Sequence, residues 1–174
     1  MLSICKKIFL VVLLLSLNST SNADTPYFID FKYVLNESAA GKKAQNALKS
    51  KLDKGLKSLS DKEKALKESE KKIIQQKKLI TPEEYKKKVE ELRVKVSSLQ
   101  KERNKLLSDI SKQRAKAKNE LLKTLNPIIE NYMKEKNIVM IIDKKNILSA
   151  NNKLDITKEI TSLLNQKLKS IKIN

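Results

Sequence analysis

The chain has 174 residues, with 38 Lys and Arg against 20 Asp and Glu, a formal net charge of +18, no His, no Trp and a single Cys. Without His, and with Cys5 ahead of an apolar leader, Ser–His and Cys–His nucleophile systems are excluded, and a zinc site lacks its usual ligands. The length suits one domain, and a domain with neither disulfide nor metal must be held together by burial or by association.

The leader comes first. Lys6 and Lys7 precede a run of ten apolar residues, Ile8 to Leu17, and Ser21-Asn22-Ala23 has the small-x-Ala form of a cleavage site. That run is too short for a bilayer span, which needs about 20 residues. Residues 1–23 are therefore expected to be a cleaved export signal, leaving 24–174 as a soluble exported domain. Cys5 lies before the apolar run, so it is not a lipid acceptor.

Tyr27-Phe28-Ile29-Asp30-Phe31 reads as a short strand ahead of a long helix from about Ala39 to Leu79. One apolar residue repeats every seven along that helix: Leu52, Leu59, Leu66, Ile73 and Ile80. Such a narrow stripe packs one neighbour but is too thin for a globular core. Gly55 costs about 1 kcal/mol relative to Ala and reads as a soft spot. The Gly41-Lys42 pair lacks the upstream glycine of a phosphate loop and marks a helix start instead.

A second helix begins at Thr81-Pro82, where Thr81 as N-cap and Glu84 three residues on form a capping box. Ile80 and Tyr85 take the places of a hydrophobic staple. Tyr85, Leu92, Leu99 and Leu106 with Val89, Val96, Ile110 and Ala117 give a fuller heptad, interrupted by Arg103 and Gln113. Two helices with almost no loop between them fold back as an antiparallel coiled coil, an arm of roughly 60 Å. The arm is placed at 39–125 with its tip near 79–85, and Pro127 is expected to kink or break the second helix where the arm meets a body formed by 24–38 and 126–174.

In the body, Ile138 to Ile142 reads as a strand, and Ile147 to Ala150 as a further one after a Lys144-Lys145-Asn146 turn. A terminal helix bearing Ile160, Leu163, Leu164, Leu168 and Ile171 is capped by Asp155 or Thr157. The fold class is α+β: a coiled-coil hairpin on a small stranded body. So few strands make a marginal core, and exposed strand edges invite pairing with further copies. Phe28, Ile29, Ile138, Met140, Ile141 and Ile142 are the body residues expected to hold such copies together.

The flanking segments carry a resemblance. Ile29-Asp30, Tyr33-Val34-Leu35-Asn36-Glu37-Ser38 and Ala40-Gly41-Lys42 resemble the opening motif of the Skp/OmpH periplasmic chaperones. Ile138 to Asp143, Asn146-Ile147-Leu148 and Leu154-Asp155-Ile156-Thr157 are similar to that family's closing segment. The resemblance implies a homotrimer in the periplasm whose strands combine into a small barrel. Its arms would enclose unfolded outer-membrane β-barrel proteins, held without ATP so that they neither aggregate nor miss the outer membrane. Lipopolysaccharide is implied as a partner for some members, with no residue pattern here that carries the site over.

Charge supplies the candidate site. Residues 42–124 hold 26 basic and 12 acidic side chains, net +14, while the rest of the expected mature chain sums to +2. Lys71, Lys72, Lys77 and Lys78 before the tip, with Lys86, Lys87, Lys88 and Arg93 after it, are expected to cluster as the client-capturing group. No catalytic, cofactor-binding or metal-ligating residue is expected, and Asp30 and Asp143 read as strand-end hydrogen-bond acceptors. The alternatives are a basic envelope coiled coil on anionic surfaces such as lipopolysaccharide, a structural spacer, or a nucleic-acid binder. The last is disfavoured by the export signal and the absence of an aromatic stacking platform.

Overall fold

The structure, a computed structural model, describes residues 25–173, so the segment expected to be a cleaved export signal, residues 1–23, lies outside the described residues. The elements are β1 (Tyr27–Ile29), α1 (Phe31–Glu37), α2 (Ala39–Gln76), α3 (Pro82–Lys136), β2 (Ile141–Asp143) and α4 (Thr157–Lys167), with 3₁₀ turns at Lys144–Asn146 and Asn152–Leu154. α2 and α3 form the long hairpin. β1 and β2 pair in parallel, Tyr27 opposite Ile141 and Ile29 opposite Asp143, so the whole arm is the crossover between two neighbouring strands.

α1 follows the first strand directly, a short helix that the sequence reading left unassigned. Its signal is local: the Asp30 carboxylate accepts the Tyr33 N–H at 2.7 Å, and Val34 turns fully inward. Ser38 ends α1 and starts α2, its buried hydroxyl accepting the Gly41 N–H at 3.2 Å. A Cβ on Gly41 would stand 2.0 Å from the Leu35 carbonyl oxygen, so only glycine lets the two helices meet so closely.

Between the long helices the capping box forms as read: Thr81 Oγ1 accepts the Glu84 N–H, and the Glu84 carboxylate accepts the Thr81 N–H at 3.1 Å. The Lys77 ammonium sits 5.6 Å from the Tyr85 ring centroid, covering the turn. Gly55 is no mere soft spot. Its missing side chain admits Leu106, whose Cδ2 would lie 2.5 Å from a Cβ there.

Several expectations need correction. The strand read over Ile138 to Ile142 begins only at Ile141, and the terminal helix has Ile156 as N-cap with no side-chain capping bond. Pro127 does not break α3, which continues to Lys136. Pro127 and Lys123 lie on the exposed side, where the unpaired carbonyl can be hydrated, while Leu121, Leu125, Ile128 and Ile129 hold the inner side against the core. The helix stops instead at Asn137, in the left-handed region at φ 52°, with the Ile138 N–H reaching back to the Met133 carbonyl. Ile147 to Ala150 is not a strand, and Leu148 is fully exposed. The free side of β1 is taken by Asp155, bridged to Phe28, and the segment does not pair with the outer edge of β2 either. Finally, the terminal helix ends at Lys167, and Ile171 packs on the core from the tail beyond it.

The core gathers Ile29, Val34, Ala40, Leu121, Leu125, Ile156, Ile160 and Leu164, drawn from both ends of the chain and the root of the arm. Ala39, at the first turn of α2, donates its N–H to the Asn165 side chain of α4 at 2.7 Å, anchoring the arm to the terminal helix.

Candidate binding surface

The arm is the element that the sequence singled out, and its packing changes along its length. Near the body, Ala44, Leu48 and Leu59 of α2 and Leu99, Ile110, Ala117 and Leu121 of α3 are buried. Between Leu59 and Leu99 none of the side chains is buried, and Ile74, Leu79, Val94 and Val96 are mostly exposed. The outer half of the arm is held by partly covered seam residues and a few ion pairs. Halfway along, Arg103 reaches Glu63 at 3.3 Å and Lys62 reaches Glu102, crossing between the helices where Arg103 interrupts the heptad. These groups are roughly half exposed, so each pair contributes little beyond register.

All eight expected capture cations lie exposed around the tip. Lys71 pairs with Glu68 at 2.9 Å and Arg93 with Glu90 at 3.8 Å. Residues 68–93 contain those eight cations and six carboxylates, so the tip itself is only +2. Residues 42–67 and 94–124 together hold 18 basic and six acidic side chains. The excess charge of the arm therefore lies on its half nearer the body, a distribution visible in the sequence only after the hairpin is folded back at the turn.

Of the expected trimer-body residues, Phe28, Ile29 and Ile138 are already buried within the single chain, and Ile141 packs on its core. Met140 and its neighbour Val139 are more than half exposed, just ahead of β2, whose outer edge pairs with nothing among the described residues. Asp30 and Asp143 act as hydrogen-bond acceptors, Asp143 taking the Lys145 N–H at 3.2 Å. A third acid, Asp155, organises the body. Burial pushes its pKa up, but hydrogen bonds from the Thr157 hydroxyl and N–H, and from Lys144 at 3.0 Å, outweigh that and hold it below the ordinary Asp value. Among the described residues no three His, Cys, Asp or Glu side chains gather as a metal site, and no helix is long and apolar enough to cross a membrane.

The comparisons with known proteins agree with this architecture. The family model described as outer membrane protein (OmpH-like) matches residues 27–164. A crystal structure from Caulobacter crescentus CB15, of a candidate outer membrane chaperone (OmpH-like), superposes with a TM-score of 0.79 at 18% identity, covering 90% of this chain and 94% of that one. Among curated proteins nothing matches significantly. The superposition carries the α+β hairpin-on-body fold, and the family match spans both end motifs and the whole arm. The chain belongs to the OmpH-like outer membrane protein family.

Proposed function

We propose that this protein is an ATP-independent periplasmic holdase that binds unfolded outer-membrane β-barrel proteins between the arms of a homotrimer. The observation that carries the reading is the arm: a long basic hairpin whose outer half buries no side chain. Such an element can splay to fit clients of different size. Its exposed Ile, Leu and Val side chains offer many weak contacts, which hold an unfolded chain without trapping it. The sequence holds no nucleotide-binding motif, in keeping with a cycle driven by binding alone.

Residues 24–38 and 126–174 would form the assembly body and 39–125 the arm. The unpaired edge of β2, with Val139 and Met140 exposed beside it, supports association through the body. The basic arms would speed encounter with acidic clients, since exposed charge acts on association more than on dissociation. The deciding experiment is dilution of a urea-unfolded outer-membrane barrel protein into buffer with and without the purified chain. Suppressed light scattering at a fixed stoichiometry, near one client per trimer, is the expected result. Unchanged aggregation at every ratio would remove the holdase reading.

A further inference from the structure

A groove of about 560 Å³ opens at the root of the arm, between the start of α2 and the later part of α3. Its size lies in the ordinary range for ligand sites, roughly 300 to 1,000 Å³. Leu48, Leu52, Ile110 and Leu121 supply apolar walls, and Lys49, Arg114 and Lys118 stand among the lining residues. None of these three cations forms an ion pair among the described residues, in contrast to Lys42 nearby, which is held by Glu37 at 2.8 Å. The lining also includes three amide side chains, Asn36, Gln45 and Asn46.

We infer that this root groove is a docking site for an extended apolar–acidic peptide segment of a bound client, an inference that rests on the holdase reading above. Three features select that occupant. Lys49, Arg114 and Lys118 are exposed and unpaired among the described residues, and their charge favours carboxylates over a purely apolar ligand. The Gln45 amide already donates to Asn36 Oδ1 at 2.8 Å, and the remaining amide donors and acceptors, with those of Asn46, match a peptide main chain and offer nothing to an acyl tail. A second groove shares Leu35, Asn36 and Lys118 with the first and extends the path past Lys32, although Asp30 and Asp143 also line it, so the cationic stretch is the part formed by the root groove itself, whose lining holds no carboxylate. The comparable groove further out along the arm does not fit so well. It has Glu63 and Glu70 among its lining residues, and its Arg103 is already paired with Glu63.

The test uses the purified protein and a short fluorescent peptide of alternating Phe and Glu, with a Phe–Lys peptide as the opposite-charge probe, read by anisotropy across a salt series. The combined Lys49→Gln, Arg114→Gln and Lys118→Gln variant should bind the Phe–Glu peptide about tenfold more weakly, since each partly exposed pair adds a modest increment. A Lys153→Gln, Lys167→Gln and Lys169→Gln variant, which removes as much exposed charge from the body, should bind it as the unsubstituted protein does, and the Phe–Lys peptide should bind poorly throughout. Circular dichroism checks that all variants are folded. No peptide binding by the unsubstituted protein, or equal affinity in the root variant, overturns the groove. Loss of binding to phosphatidylglycerol vesicles with peptide affinity intact also overturns it, in favour of a lipid site. Aggregation suppression by the unsubstituted protein is measured in parallel. Its failure removes the holdase reading, whereas insensitivity of peptide binding to the root substitutions removes only the groove.

Discussion

Thr157 joins three segments of the body through one residue. Its hydroxyl accepts the Asp30 N–H at 2.8 Å and donates to Asp155, whose carboxylate also takes the Thr157 N–H. Because the Asp155 pKa is lowered in the folded state, its contribution is present above the unfolded value near 3.9 and is lost as pH falls through the folded one. Asp155→Asn is therefore expected to cost about 1–2 kcal/mol at neutral pH. The gap to the unsubstituted protein should close below about pH 4; a pH series of thermal melts checks this. The two glycines make a second comparison. Ala substitution gains about 1 kcal/mol of helix propensity at either position. At Gly41 the new methyl meets the Leu35 backbone carbonyl, and at Gly55 it meets only the movable end of Leu106. Gly41→Ala should destabilise by about 2 kcal/mol or more, with Gly55→Ala within about 1 kcal/mol of neutral, as measured by chemical denaturation.

At the scale of elements, the arm is firm at its root and loose beyond Leu59 and Leu99, the outermost buried positions of α2 and α3. Amide exchange should be fast from Ile73 to Val89 and slow at Val34, Leu121 to Leu125 and Ile160 to Leu164, where the side chains form the core. Uniform protection along the arm would instead identify a rigid spacer. The root is also tied to the body by the Asn165 side chain on the Ala39 N–H. Asn165→Ala should cost about 1 kcal/mol, the usual loss for an unsatisfied helix N-terminus, and should raise exchange at the start of α2.

For the whole molecule, assembly is expected to run through the free edge of β2. Val139 and Met140 are 65% and 55% exposed in the single chain, so a charge there leaves the chain's own core intact. Met140→Asp should dissociate the assembly to folded monomers by native mass spectrometry, because it would place a carboxylate in an apolar contact between copies. Ile29→Asp, by contrast, should unfold the body, since Ile29 belongs to the core of each chain. A Met140→Asp protein that remains a trimer would move the contact elsewhere. Client association should slow as salt rises while dissociation changes less, because exposed charges are screened over about 8 Å at physiological ionic strength.

The hairpin, its turn and its antiparallel course were legible in the residues. A seven-residue apolar repeat and the Thr81-Pro82-Glu83-Glu84 start signal are local codes, with the required hydrogen bonds a few residues apart. The positions of the arm and of the two apolar end segments followed for the same reason. Tertiary structure decided what depended on distant partners. Ile147 to Ala150 has strand composition but no strand: Asp155 closes one side of β1, and the segment leaves the outer edge of β2 unpaired. Pro127 passes through a continuous helix because packing on one side and water on the other compensate for its missing donor. Gly55 changes from a weakness to a socket only when Leu106 arrives from the other helix. The root groove needed folding most of all. Lys49 and Arg114 are far apart in sequence, and only the return of α3 along α2 sets their charges beside one apolar wall.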